Sequence, residues 1–221
     1  MLAAKTIGTD ENNRWLITFN SDGTGAKLIE PLGQNADKVI VNVSPDAEII
    51  AFSQTGSAVG FDTKEILPVG QNQENFKALR IEGFGFSPLW TPDGKSLVYS
   101  TASADSQYRP SLWFVNAKGD AIGRNRSQLG VHTWADKCTF AGASSVYCAV
   151  PQLLPEGAGL ERGIVAGTPD SIVKIDLLSG AITTLGTPST PTEIKKLTVS
   201  EGEDKLFFVS SSGSLEEMRL R

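Results

Sequence analysis

The chain has 221 residues, 40% hydrophobic and 20% charged, with a formal net charge of −5. That balance gives ample apolar material for a core, and the acidity counts against a nucleic-acid partner, which needs a basic surface to displace counterions from phosphate. The 22 Gly and 11 Pro are spread along the chain, which punctuates many short elements. No apolar run approaches the roughly 20 residues of a membrane helix, so membrane insertion by this chain itself is not expected.

In chain order, the opening "MLAAKTIGTDENN" carries one lysine and no apolar core. It does not read as a signal peptide, and an export address would lie outside this chain. Residues 1–35 then read as three strands joined by short turns. Within them "NSDGTGAKLIE" resembles a calcium loop but has four residues between Gly25 and Glu30 where the motif wants five, so it reads as a strand-joining turn.

From residue 44 the sequence repeats. "SPDAEIIAFSQTGSAVGFDTKEILPVG" (residues 44–70) offers a turn, an apolar run, a tight turn and two more runs. "TPDGKSLVYSTASADSQYRPSLWFVNAKGDAIG" (91–123) repeats that order with a longer middle loop. "AGASSVYCAV" followed by "SIVKIDLLSGAITTLG" is a third copy, and "SEGEDKLFFVSSSGSLEEMRLR" starts a fourth. Pro45 and Pro92 are 47 residues apart, a spacing within the range of four-stranded propeller blades. In each turn Pro presets φ and Asp or Gly closes the reversal. The following runs (Ile49–Phe52, Leu97–Tyr99, Val146–Val150, Leu206–Val209) are apolar on consecutive residues, the pattern of inner strands covered on both faces. A buried helix is the competing reading, but the runs are short and flanked by Gly.

The elements "TPDGKSLVYS…SLWFVNAKG" resemble the WD40-like repeat of TolB-type propellers. The chain is further similar to uncharacterised propeller proteins of candidate-phylum, Parcubacteria-like bacteria, on its "KC…YCAVP" hairpin (137–151) and its "D-x-[IVL]-W/V-K-I-[ND]-L-x-x-G" strand (170–180). The resemblance implies an extracytoplasmic protein, in the periplasm or on the cell surface and often membrane-anchored, with no assigned activity. Two turns depart from it: "AGASS" in the third copy and "SEGED" in the fourth. The expected fold is all-β, a single propeller domain of four-stranded antiparallel blades. A partial blade covers 1–35, full blades cover 36–70, 84–130 and 131–187, and a second partial blade covers 193–221. The two partial blades supply strands two to four and one to three. The count of about five leaves open a fragment of a larger propeller or an irregular ring.

No catalytic motif accompanies the repeat. The single histidine, His132, and the lack of Gly-x-Ser-x-Gly argue against a serine hydrolase, and one His with two Cys falls short of a metal site. His132 reads as a structural hydrogen-bonding side chain. Trp15, Trp90, Trp113 and Trp134 read as strand residues of the inter-blade core, with a stacking platform as the alternative. No cofactor and no catalytic residue is expected. Cys138 and Cys148 flank a turn centred on residue 143, which sets them opposite one another on paired strands and predicts a disulfide. Two buried thiols in a cytosolic protein are the alternative.

Function therefore rests on the loops. In an up-and-down blade the strand two-to-three loop and the connection to the next blade leave from one face, and the other two hairpins from the opposite one. The first face collects "GQNQENFKALRIEG" (70–83), "TASADSQYRP" (101–110), "PQLLPEGAGLERGIVAGTP" (151–169) and "GTPSTPTE" (186–193), whereas the opposite face has only tight turns. Long loops on a rigid scaffold usually carry recognition. Asp105, Tyr108 and Arg109 in one loop, with Glu156, Leu160 and Arg162 in its neighbour, form the expected site for a protein or glycan partner. The preferred function is a non-catalytic binding or scaffolding propeller of the cell envelope. One alternative is the propeller domain of an exported peptidase or carbohydrate-active enzyme whose catalytic part is not in this chain, which the full reading frame would reveal. Another is an assembly domain self-associating through open blade edges, which solution mass would detect. The last strand carries Glu216, Glu217, Arg219 and Arg221, charges that protect such an edge.

Overall fold

A computed structural model describes residues 1–220. The chain divides into two compact units. The first holds Met1–Ile81 together with the turn segments Asp93–Lys95 and Asn116–Arg124, and the second holds the rest.

In the first unit, β1 (Leu2–Thr6), β2 (Trp15–Phe19) and β3 (Lys27–Pro31) form a three-stranded antiparallel sheet in sequence order. A second sheet contains β4 (Val39–Val41), β5 (Ile49–Ser53), β6 (Ala58–Gly60), β7 (Thr63–Gly70) and β8 (Leu79–Glu82). β5 and β6 pair with successive parts of β7: Ser53 faces Leu67, the Glu65 N–H donates to the Ser57 carbonyl, and Ala58 faces Lys64. They are therefore one interrupted arm. "QTGS" (54–57) is an irregularity within that arm and not the expected turn, which lies instead at residues 60–63. β8 pairs with β7, so this sheet runs past the expected boundary at Gly70 to Glu82. Leu16, Leu32, Ala36, Val39, Ile50 and Ala51 form one core cluster of this unit, and Phe52, Ile66, Leu79 and Ile81 are buried as well.

The second unit has three antiparallel sheets. β9 (Phe84–Trp90), β10 (Ser96–Ala102), β11 (Pro110–Asn116) and β12 (Ser127–Gln128) form one. β13 (Cys138–Ala141), β14 (Ser145–Pro151), β15 (Asp170–Asp176) and β16 (Ile182–Gly186) form the next, and β17 (Ile194–Val199), β18 (Lys205–Ser210) and β19 (Leu215–Arg219) the last. Glu216, Glu217 and Arg219 lie on β19; Arg221, expected to share in charging that edge, lies outside the described residues.

The consecutive apolar runs behave as double-sided burial requires in β5 and β10, where every residue is buried, and in β14 up to Ala149. β18 departs from that expectation. Leu206 and Phe208 pack with Tyr147, Ile172 and Ile194, whereas Phe207 and Val209 on the other face are only half-buried. A strand with one face on the core alternates.

The repeated turn has a specific physical part beyond its Pro and Gly. The hydroxyl of its first residue accepts the N–H five positions on: Ser44 from Ile49 (3.1 Å), Thr91 from Ser96 (3.0 Å) and Ser200 from Lys205 (3.0 Å). The fourth copy thus keeps the working hydroxyl although it lost the proline. The third copy has Ala141 there and closes a tighter hairpin, Ala141 facing Ser145, with Gly142 at φ +63°.

Candidate functional site

Two long loops of the second unit leave from the strand two-to-three end. The shorter, residues 103–109, turns through a short 3-10 segment, Ala104–Ser106. The Ser106 hydroxyl accepts the Ser103 N–H (3.2 Å) and donates to the Arg109 carbonyl (2.6 Å). Gln107 and Tyr108 both sit at φ +53°, a left-handed conformation that costs about 1 kcal/mol or more for each non-glycine residue and persists only where the surroundings enforce it. The longer loop, residues 152–169, contains the 3-10 segment Arg162–Val165, whose start is held by the Glu161 carboxylate accepting the Gly163 N–H (3.0 Å).

The loops are bonded to one another. The Gly157 N–H donates to the Gln107 carbonyl (3.0 Å), the Gly159 N–H to the Tyr108 carbonyl (2.8 Å), and Arg109 Nε to the Leu154 carbonyl (2.8 Å). Only glycine fits at 159, because a Cβ there would press on Ala102 and lie 2.8 Å from the Tyr108 carbonyl oxygen. Beneath, Trp134, Ala158 and Val165 make a small apolar cluster against which Leu154 packs. Arg162 stacks on the Trp134 ring at 4.5 Å and donates to Asp136 Oδ2 (2.8 Å).

The base of the longer loop is locked by charge. Lys137 Nζ donates to both carboxylate oxygens of Asp170 (2.7 and 2.6 Å), and Asp170 also accepts the Ile194 N–H from β17 (2.6 Å). Burial pushes the Lys137 ammonium down and the Asp170 carboxyl up, each shift opposed by the partner's charge. Beside them Glu193 accepts the Gly167 N–H (2.9 Å) and Lys195 Nζ (2.6 Å). Burial pushes the Glu193 carboxyl up, but Lys195, the Gly167 amide and Lys137 together hold it below the usual range.

The structure brings the two groups of predicted residues together, in two different roles. Arg109 and Arg162 are spent on holding the loops, whereas Asp105, Glu156 and Leu160 are exposed and Tyr108 is half-buried. Leu153 (69% exposed), Leu160 (55%) and Ile164 (52%) leave three large aliphatic side chains on one loop; the sequence reading named only the second. Two expectations about the loops are corrected. Residues 70–83 are not one long loop on this face: they end in β8, and their irregular part connects β7 to β8 at the strand one-to-two end. There Gln71 Nε2 donates to the Ala47 carbonyl of the first turn (2.7 Å). Nor is that opposite end limited to tight turns, because residues 117–126 make a ten-residue excursion between β11 and β12. Trp134 is likewise not a strand residue; it precedes the 3-10 turn Ala135–Lys137 under the longer loop. His132 shares a 3.1 Å hydrogen bond between its Nδ1 and the Ser111 hydroxyl. Cys138 and Cys148 are directly opposed in register and joined by a disulfide, with Cα atoms 4.1 Å apart.

No protein-family model and no curated protein matches the sequence. Solved structures do match the fold. TolB from Acinetobacter baumannii superposes with a TM-score of 0.63 at 14% identity, over 99% of this chain and 50% of its own. An oligogalacturonate lyase in complex with manganese gives 0.59 at 13% identity, over 94% and 54%. The tricorn protease gives 0.52 at 13%, over 96% and 23%. The chain thus spans about half the length of the first of these. At such identities the likeness concerns the fold alone, and that fold is the TolB-like β-propeller.

Proposed function

We propose that the chain is a non-catalytic binding or scaffolding propeller of the cell envelope, and that its partner docks on the rim formed by residues 103–109 and 152–169. The observation that carries this reading is the set of hydrogen bonds joining the two loops, which presents exposed Leu153, Leu160 and Ile164 on a surface ordered in advance. Preorganisation lowers the entropic cost of association. Exposed aliphatic side chains among Asp105, Glu156 and Glu161 suit a protein better than a glycan. The Cys138–Cys148 disulfide supports a site outside the cytoplasm. The test is affinity capture from envelope extract followed by binding measurements with variants. Leu153→Ala with Leu160→Ala should weaken the partner at least about tenfold, while Lys118→Ala at the opposite turns leaves it unchanged. Unaltered binding in the first variant would overturn the proposal.

The likeness to the lyase and the protease supports a second reading, a propeller domain of an exported enzyme whose catalytic part lies outside this chain. Assaying this chain and the complete gene product on polygalacturonate and on peptides separates the two readings.

A further inference from the structure

The first unit carries a cleft that neither the repeat nor the loop rim accounts for. It lies between the end of β3 and the β5 and β7 strands, and the loop between β7 and β8 closes one side. It encloses about 260 Å³, and a smaller hollow of about 70 Å³ shares Glu30, Ser53, Thr55 and Val69 with it. The apolar part of the cleft lining is Ile29, Leu67, Pro68 and Val69, and the smaller hollow adds Leu16, Leu32 and Val39. The rest of the cleft lining is polar or aromatic. Glu30, the hydrogen-bonded hydroxyls of Ser53 and Thr55 (2.8 Å apart), Gln73 and Asn75 line it, and the Phe76 ring forms one side.

The closing loop is fixed in place. Gln71 is tied to the Ala47 carbonyl, and the Glu74 carboxylate accepts the Asn72 N–H (2.8 Å) and side-chain amide (3.0 Å). Those amides hold the Glu74 carboxyl below its usual range. Gly70 lets Glu74 and Phe76 lie against the strand, since a Cβ there would meet Glu74 and come within 2.9 Å of the Phe76 ring.

This lining is selective. Carboxamides and hydroxyls each present both a donor and an acceptor, which matches a ligand whose hydroxyls do the same at short intervals. An aromatic face meets the C–H side of a sugar ring and not a flat anion. Two carboxylates, Glu30 and Glu74, face the space, and none of the described lining residues is Lys or Arg. An anionic ligand would enter against both charges. The volume sits just below the usual range for drug-sized ligands, about 300–1,000 Å³, which suits one or two sugar rings. We propose that this cleft binds the end of a neutral oligosaccharide, stacked on Phe76 and hydrogen-bonded by Gln73, Asn75 and the Ser53–Thr55 pair, and that it rejects uronates. The site is independent of the loop rim and stands whether or not a protein docks there.

The test is an amide-resonance titration of the intact chain with chitotriose, maltotriose and trigalacturonate. The proposal expects saturable shifts at residues 30, 53–55 and 70–76 with at least one neutral trisaccharide, at millimolar affinity, and none with trigalacturonate. Phe76→Ala, and separately Gln73→Ala with Asn75→Ala, should weaken that binding about tenfold; the second variant alters only exposed side chains and keeps the test valid should the first fail to fold. No saturable shift with either neutral sugar, shifts confined to other residues, or equal binding of trigalacturonate would each overturn it.

Discussion

Replacing Lys137 by Met is the most demanding test of how the longer loop is anchored. The Lys137 and Asp170 side chains are 2% and 0% exposed, and Asp170 accepts three hydrogen bonds, two from Lys137 and one from the Ile194 N–H. Methionine keeps most of the lysine's volume, so packing changes little, while the carboxylate loses its counter-ion at a position shielded from solvent. Breaking a buried pair from one side costs about 3–5 kcal/mol, and at about 2–4 °C per kcal/mol for a chain of this size the midpoint should fall by roughly 10 °C. Lys205 and Glu217, 38% and 50% exposed, provide the control, because surface pairs contribute about 0–1 kcal/mol and Lys205→Met should barely register. Adding Asp170→Leu to Lys137→Met should recover part of the loss. Recovery is incomplete because the Ile194 N–H, orphaned, costs about 1–3 kcal/mol. Thermal and denaturant unfolding followed by circular dichroism read all four proteins. A Lys137→Met loss under about 1 kcal/mol would mean that the pair is hydrated, and would refute the reasoning.

Three further outcomes follow from the same geometry. The Lys118 ammonium, with the Ser44 hydroxyl, holds the Asp46 carboxyl at about 2, below its ordinary 3.8. A depressed carboxylate stabilises the fold above the unfolded value and loses that contribution as pH falls, so stability should drop between about pH 4 and pH 2. Asp46 is largely exposed, so the drop is about 1 kcal/mol at most, and Asp46→Asn should flatten it in acid titrations of the unfolding midpoint. Reducing the Cys138–Cys148 bond, which closes a separation of 10 residues, should destabilise by about 2–3 kcal/mol on the chain-entropy model; mass spectrometry of unreduced protein finding two free thiols would end that expectation. Gly159→Ala should force residues 103–109 and 152–169 apart at a cost of about 1–3 kcal/mol, seen as faster hydrogen exchange at the Gly157 and Gly159 amides, and unchanged exchange would show that the loops are not bonded there.

Much of the strand content could be read from the sequence, because local chemistry dictates it. Consecutive apolar residues in β5 and β10 and the Ser/Thr-Pro-Asp turns need no tertiary information, and the Cys138–Cys148 register follows from counting around one turn. Where the reading failed, the deciding contact was remote or spread along the chain. "ALRIEG" carries only four strand residues, and its pairing with β7 is set by tertiary fit. "QTGS" has a turn's composition but sits in an arm whose register with β7 continues beyond it. The site was legible as two long loops, not as a bonded pair, since the contacts between them run mostly through backbone atoms. The Lys137–Asp170 pair did leave a trace. Lys137 and Asp170 open the two stretches singled out in the sequence, the hairpin at 137–151 and the strand at 170–180, and pair across 33 positions.

The loop rim as a docking surface can be tested directly by photo-crosslinking in the native host, with p-benzoylphenylalanine placed at position 160 in one protein and at position 118 in another. The account predicts a discrete adduct from position 160 that disappears when Leu153→Ala and Tyr108→Ala are added, and none from position 118. Adducts from position 118 alone, or from neither position, would contradict it.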